Sequence, residues 1–255
     1  MGAYLVIDDT ILEKPYSKAS RVIGAFIRWV FSHKDNRCVK GIQVVFLLLV
    51  VGKFRFPLGF RIYNKSKTKI ELAIELLSYA RNTLEMKSMF VLFDSWYSSK
   101  SLLKRIKDYG WYFVCRIKRN RCVSGKSVKH LFQNPFGMIR GMMNGMNVLL
   151  VRNRKHYLIT NRLSLSKGEI LNWYKKRSII EEFFKVIKSR FKAKCCQSRS
   201  IKIWENHLYL VLFCFCLVEL KRVELGITIY KAKSTLRLTD YTSLINKWKR
   251  YLDKT

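Results

Sequence analysis

Residues Ile42–Tyr63 read IQVVFLLLVVGKFRFPLGFRIY. The first half, Ile42–Val51, is a continuous apolar run, as expected of a strand buried on both faces. Gly52-Lys53 interrupts it. The second half, Phe54–Tyr63, is rich in aromatic and β-branched residues, so the two halves read as a hairpin. Pro57 has no N–H to donate to a ladder, which predicts an irregularity or an edge position there.

Working outward, Ala3–Ile7 is another apolar, β-leaning run, and it ends in Asp8-Asp9-Thr10. Thr68–Lys87 carries Ile70, Leu72, Ala73, Leu76, Leu77 and Ala80 at helical spacing. Met89–Phe93 is a short apolar run ending in Asp94. Ser98–Tyr109 reads as a helix closed by Gly110, and Trp111–Ile117 as a strand. This order, an antiparallel meander followed by alternation, is that of an α/β domain with a mixed sheet flanked by helices.

The next stretch, Lys118–Ser166, differs. It holds Gly125, Gly137, Gly141, Gly145 and Pro135 around short β-like pieces at Met146–Val151 and Tyr157–Thr160. It reads as a β-rich insertion with basic loops. Lys167–Lys192 then follows as one long helical pattern, opened by Ser166 as N-cap with Glu169 in its first turn. His207–Val223 is a second, nearly all-apolar helix suited to the core. The chain divides into a first part at 1–118, the insertion at 119–166, closing helices at 167–225 and a basic tail at 226–255.

Charge narrows the function. The 255 residues include 50 Lys+Arg against 17 Asp+Glu, a net +33. A compact domain with that imbalance repels itself unless a polyanion binds it, and nucleic acid is the default partner. Hydrophobic residues at 49% supply a sizeable core and exclude general disorder. The seven cysteines show no metal-type spacing, and Cys195-Cys196 with His207 makes only a weak zinc half-site. Free thiols in a reducing cytoplasm fit better. Val44–Val51 and Leu208–Val218 are both short of the ~20 residues a membrane span needs, and Met1 leads into a strand, not a signal peptide.

With so few carboxylates, their placement carries weight. Asp9 and Asp94 each end an apolar strand, and Glu181 sits among Ile179, Ile180, Phe183 and Phe184. Acids beside apolar neighbours are costly to desolvate, and a divalent cation compensates them. Phosphodiester cleavage by in-line displacement uses two cations about 3.5–4 Å apart, one for the attacking oxygen and one for the leaving oxygen. Asp8 and Asp9 compete for this role, because adjacent side chains on a strand take opposite faces. Around Glu181, the residues Tyr174, Arg177, Glu181 and Lys188 follow one another at near-whole helical turns and share one stripe. Arg177 can fork onto a phosphate, Lys188 offers a point charge, and Tyr174 can donate or stack.

The pattern Tyr-x2-Arg-x3-Glu-x6-Lys from Tyr174 to Lys188 resembles the signature of a large group of bacterial insertion-sequence DDE transposases. Arg177–Lys188 (RSIIEEFFKVIK) is similar to that family's Arg-Trp-x-Ile-Glu-x-Phe-x-Lys pattern. Val6–Thr10 (VIDDT) and Phe93–Tyr97 (FDSWY) resemble the segments with its first and second catalytic Asp. The likeness covers roughly residues 3 to 225. It implies a ribonuclease H-like fold with the insertion between the second Asp and the Glu. It implies catalysis by Asp9, Asp94 and Glu181 holding two Mg²⁺ or Mn²⁺ ions, with Tyr174, Arg177 and Lys188 on DNA. It also implies double-stranded DNA as substrate, a homodimer on DNA, no membrane, and a bacterial cytoplasm beside the nucleoid. Two departures stand out. Ser178 replaces the family's Trp after the signature Arg, and the first Asp comes at position 9, with the family's upstream end-recognition region lacking. The rival readings are a truncated regulator that binds DNA or a full-length partner, and a nuclease of the same superfamily.

Overall fold

The computed structural model describes residues 2–19, 25–32 and 36–235. The first strands are β1 (Tyr4–Glu13), β2 (Ile27–Ser32), β3 (Arg37–Val51) and β4 (Phe54–Tyr63). Helix α1 (Lys69–Asn82), β5 (Phe90–Phe93), a 3-10 turn at Ser95–Tyr97, α2 (Lys100–Asp108) and β6 (Tyr112–Arg116) follow. The next strands are β7 (Cys122–Val123), β8 (Lys126–Ser127), β9 (Phe136–Met143), β10 (Met146–Asn153) and β11 (His156–Thr160). The helices α3 (Lys167–Lys175), α4 (Ile179–Ser189), α5 (Ile201–Leu225) and α6 (Ile229–Thr235) close the described chain.

One large sheet runs in the order β2-β3-β1-β5-β6-β11-β10-β9, with β4 also paired to β3. Strand β1 lies antiparallel to β3 and parallel to β5, and β5 lies parallel to β6. The mixed α/β fold expected from the sequence is therefore present. The hairpin β3–β4 forms as read, and its register shifts between Leu47 and Leu48 where Pro57 enters.

Three features differ from the sequence reading. Strand β1 does not stop at Ile7: it pairs with β3 as far as Glu13 opposite Gly41. Both acids therefore sit inside a strand, held there by the length of β3. Strand β2 was not anticipated. Residues 167–192 do not make one helix, because a 3-10 turn at Lys176–Ser178 separates α3 from α4. There the Ser178 hydroxyl donates to the Lys175 carbonyl, the kind of local bond that competes with the helical ladder. The 119–166 stretch, read as a β-rich insertion, supplies strands β9–β11, which extend the main sheet through β6. The tail from residue 236 lies outside the described residues.

The sheet carries a core on each face. Tyr4, Val6, Leu12 and Phe46 pack against the α3–α5 side, including Ile180, Phe183, Trp204 and Phe215. Leu5, Ile7, Val45 and Leu47 pack against α1 and α2 through Leu72, Leu76, Leu102 and Ile106. Helix α4 is fixed at Phe46, whose ring lies 5.6 Å from Phe183 and 5.5 Å from Phe184. Helix α5 is pinned to β4 by a carboxylate: Glu219, fully buried, accepts from Arg55 at 2.7 and 2.8 Å and from Arg222 at 2.7 and 2.8 Å. It ends at Gly226 in the left-handed region, φ 64°, where a glycine carries no steric penalty. No described helix is long and apolar enough to cross a membrane.

Candidate active site

Asp8 and Asp9 stand opposite Phe46 and Val45 of β3. Alternation sends Asp8 to the face of Val6 and Phe46, under α4, and Asp9 to the face of Ile7 and Val45, under α1 and α2. Strand β5 runs parallel beside β1 with Val6 opposite Leu92. Just past the end of β5, Asp94 lies near enough to Asp8 for its charge to act on the Asp8 carboxyl.

The two aspartates of β1 have different company. Asp8 is 19% exposed at its side chain and accepts from Arg177 at 2.7 Å and from the Asp9 backbone N–H at 2.9 Å. Burial pushes its carboxyl up to about 7 against the pull of Arg177, and the charges of Asp9 and Asp94 push the same way as burial. Asp9 accepts from Gln43 at 2.6 Å, from Lys69 at 3.0 and 3.2 Å and from the Tyr97 hydroxyl at 2.8 Å. Tyr97 is fully buried, and burial first, then Asp9, pushes its hydroxyl well above the usual range.

Arg177 joins the acids. Besides Asp8 it donates to Glu181, one helical turn on in the first turn of α4. Burial works against its cation, but Asp8, Tyr174 and Glu181 outweigh that and hold its pKa above the ordinary value. Glu181 keeps its side chain 58% exposed. Asp94 caps the 3-10 turn by accepting from the Ser95 N–H at 2.6 Å. The Tyr174 hydroxyl is buried and finds no hydrogen-bond partner among the described residues, and burial raises its pKa. Lys188 lies in the last turn of α4, about two turns beyond Glu181.

The structure brings Asp94, Arg177, Glu181 and Tyr174 into one neighbourhood around the Arg177 guanidinium. It does not bring Asp9 there: the place on that face is taken by Asp8. The network of Gln43, Lys69 and Tyr97 around Asp9 was missed as well. The available signal was strand parity, but with both faces of β1 apolar the sequence could not say which face met α4.

Among the described residues, no three His, Cys, Asp or Glu side chains already form a metal-holding group, and this includes Cys195, Cys196 and His207. The chemistry of the acids still suits a hard cation. Asp8 is a half-buried carboxyl crowded by two like charges, with Arg177 as the facing cation, and Arg177 is shared with Glu181.

Comparison with known proteins adds to this geometry. The family described as Transposase DDE domain matches residues 3–217. No curated protein matches the chain. Among solved structures, the piggyBac transposase synaptic complex with hairpin DNA superposes with a TM-score of 0.64 at 13% identity, over 99% of this chain and 56% of that one. The NurA nuclease from Sulfolobus solfataricus aligns at a TM-score of 0.32 and 12% identity, over 69% of this chain and 72% of that one, too low to carry an argument. The first match shows a shared fold, and this chain spans little more than half of that transposase.

Proposed function

Since the chain belongs to the Transposase DDE domain family, we propose that it is a catalytic domain that cuts DNA at insertion-sequence ends and joins the freed 3′-hydroxyl to a target. We place it in the bacterial group with the Tyr-Arg-Glu-Lys signature, read here from Tyr174 to Lys188. The supporting observation is Arg177, in the 3-10 turn ahead of α4, which bonds both Asp8 of β1 and Glu181 of α4, with Asp94 near enough for its charge to act on Asp8 and Arg177.

The acids of this reading are Asp8, Asp94 and Glu181. Asp8 replaces the Asp9 of the sequence expectation, because Asp9 is directed to the opposite face and saturated there by Lys69, Tyr97 and Gln43. The three acids would hold two Mg²⁺ or Mn²⁺ ions, which when bound supply a polarised attacking oxygen and a stabilised leaving oxygen. Arg177 neutralises Asp8 and Glu181 in the metal-free chain, and its fork suits a scissile-strand phosphate once those acids are otherwise compensated. Tyr174 offers an unspent hydroxyl beside it. Lys188 extends the positive stripe along the DNA. The net +33 charge supplies the non-specific attraction to double-stranded DNA. A homodimer on paired ends, in a bacterial cytoplasm at the nucleoid, completes the proposal.

Nicking of supercoiled plasmid with Mn²⁺ or Mg²⁺ tests it, with Asp94→Ala as comparison. Metal-dependent nicking that disappears in the variant, with salt-sensitive DNA binding retained, supports the reading. Equal nicking by both proteins sinks the assignment. DNA binding without nicking by either protein favours a regulator that acts through DNA or a full-length partner.

A further inference from the structure

A pocket of about 570 Å³ opens between the β3–β4 turn, α4, the end of α5 and the start of α6. That is the size of a small-molecule site. It is separate from the acids. Ile179, Glu182 and Val186 line it at i, i+3 and i+7 of α4, so they share one stripe, on a different side of the helix from Glu181 and Lys188.

The floor of the pocket is charged and held rigid. Arg55 keeps only 8% of its side chain exposed, and Glu219 accepts from its Nε and Nη2. Arg222 gives Nε and Nη2 to the same carboxylate, and Nη2 also to the Lys53 carbonyl. One nitrogen, Nη1, is left over on each guanidinium. Arg55 Nη1 has Glu182 at 3.8 Å, beyond hydrogen-bond length. Arg222 Nη1 donates to nothing among the described residues. Lys53 and Lys185 also line the pocket, exposed and without an acid partner among the described residues. Four cations thus meet two carboxylates, Glu182 and Glu219, a surplus of two positive charges. Ile179, Val186 and Ile229 supply an apolar wall beside them.

That surplus selects the ligand. A phosphate monoester carries about −1.5 to −2 at neutral pH, whereas a backbone diester carries about −1. Guanidinium groups fork onto phosphate oxygens, and Glu219 has already fixed their geometry, which removes an ordering cost from binding. We propose that this pocket binds a phosphate monoester on an apolar body of nucleotide size, with Arg55 and Arg222 as floor donors and Lys53 and Lys185 as the closing cations. Two sources carry that group: a free mononucleotide, and the 5′-phosphorylated end of a DNA strand. Only the second source draws on the reading of this chain as a DNA-cutting domain.

The test uses the full chain in EDTA at one salt concentration, with calorimetry on thymidine 5′-monophosphate and on thymidine. The monophosphate is expected to bind roughly tenfold more tightly than the nucleoside, or better. Joint replacement Lys53→Ala and Lys185→Ala should weaken it by about tenfold, the worth of one charge-assisted hydrogen bond, while Lys104→Ala on the exposed side of α2 leaves it unchanged. Equal affinity for nucleotide and nucleoside, no binding of either, an unchanged affinity in the double variant, or an equal loss in Lys104→Ala overturns the pocket. Anisotropy on one duplex with 5′-phosphate or 5′-hydroxyl ends then assigns the source. A preference for the phosphorylated end that the double variant loses places the DNA end in the pocket, and equal binding of both ends leaves the free nucleotide. A chain that binds the monophosphate but neither duplex would overturn the DNA reading and leave the pocket standing.

Discussion

Asp8 and Asp9 are neighbours in the chain and strangers in the fold. Asp9 accepts from Lys69, Tyr97 and Gln43, a cation and two neutral donors, and its charge is spent inside the protein. Asp8 has Arg177, which it shares with Glu181, and it has Asp94 as a like-charged neighbour. One carboxylate is fully compensated and the other is short of positive charge. A fold keeps a carboxylate of the second kind when something outside the chain completes it. The same contrast separates Asp8 from Glu219, which is deeper still but gripped by two arginines. Burial alone therefore does not mark the site; missing compensation does.

The comparison breaks most cleanly at β1 itself. Asp8→Ala is expected to remove metal-dependent nicking altogether while the protein still binds DNA, since the metal-held charge it serves is worth several kcal/mol of transition-state stabilisation. Asp9→Ala is expected to keep measurable nicking. A plasmid assay on both variants decides it: loss in Asp9→Ala with full activity in Asp8→Ala would reverse the assignment of faces.

Glu219 supplies the next largest effect, on stability rather than rate. Glu219→Gln leaves Arg55 and Arg222 partly buried against a neutral amide, and removing one partner of a buried ion pair costs about 3–5 kcal/mol. Urea unfolding should show a fall of that order in midpoint stability. A near-neutral result would mean that water or Glu182, 3.8 Å from Arg55, takes over the charge. Asp9→Ala should come third, at about 1–3 kcal/mol, because the Tyr97 hydroxyl is left buried without its acceptor. Thermal unfolding that is unchanged in Asp9→Ala would show the network around it to be dispensable.

The sequence disclosed the architecture because the signals were strong and local. Ile42–Val51 is too apolar for anything but a strand covered on both sides, and Ser166 with Glu169 forms the capping box its spacing promised. The charge excess and the Tyr174–Lys188 spacing pointed to DNA and to α4. What the sequence concealed was relational. Val6 and Ile7 are equally apolar, so nothing in β1 tells which side α4 covers, and the choice between Asp8 and Asp9 turns on that. The break at Lys176–Ser178 was hidden for a similar reason: the apolar stripe continues in phase across it, and only the turn geometry swings Arg177 onto Asp8.

The smallest effect separates the two cations of the signature stripe. Arg177 faces inward to two carboxylates, whereas Lys188 sits at the far end of α4, where the helix C-terminus favours a positive charge and the side chain can reach along a DNA backbone. If Lys188 neutralises one phosphate, Lys188→Ala should weaken binding uniformly across DNA sequences and reduce the slope of log affinity against log salt by about 0.9. Titrations at several salt concentrations measure that slope directly. The Arg177→Ala slope in EDTA should move less, because in the metal-free chain its charge is engaged by Asp8 and Glu181. Equal slope changes in the two variants would mean that Arg177 already serves phosphate without metal, and the difference drawn between Arg177 and Lys188 would fall.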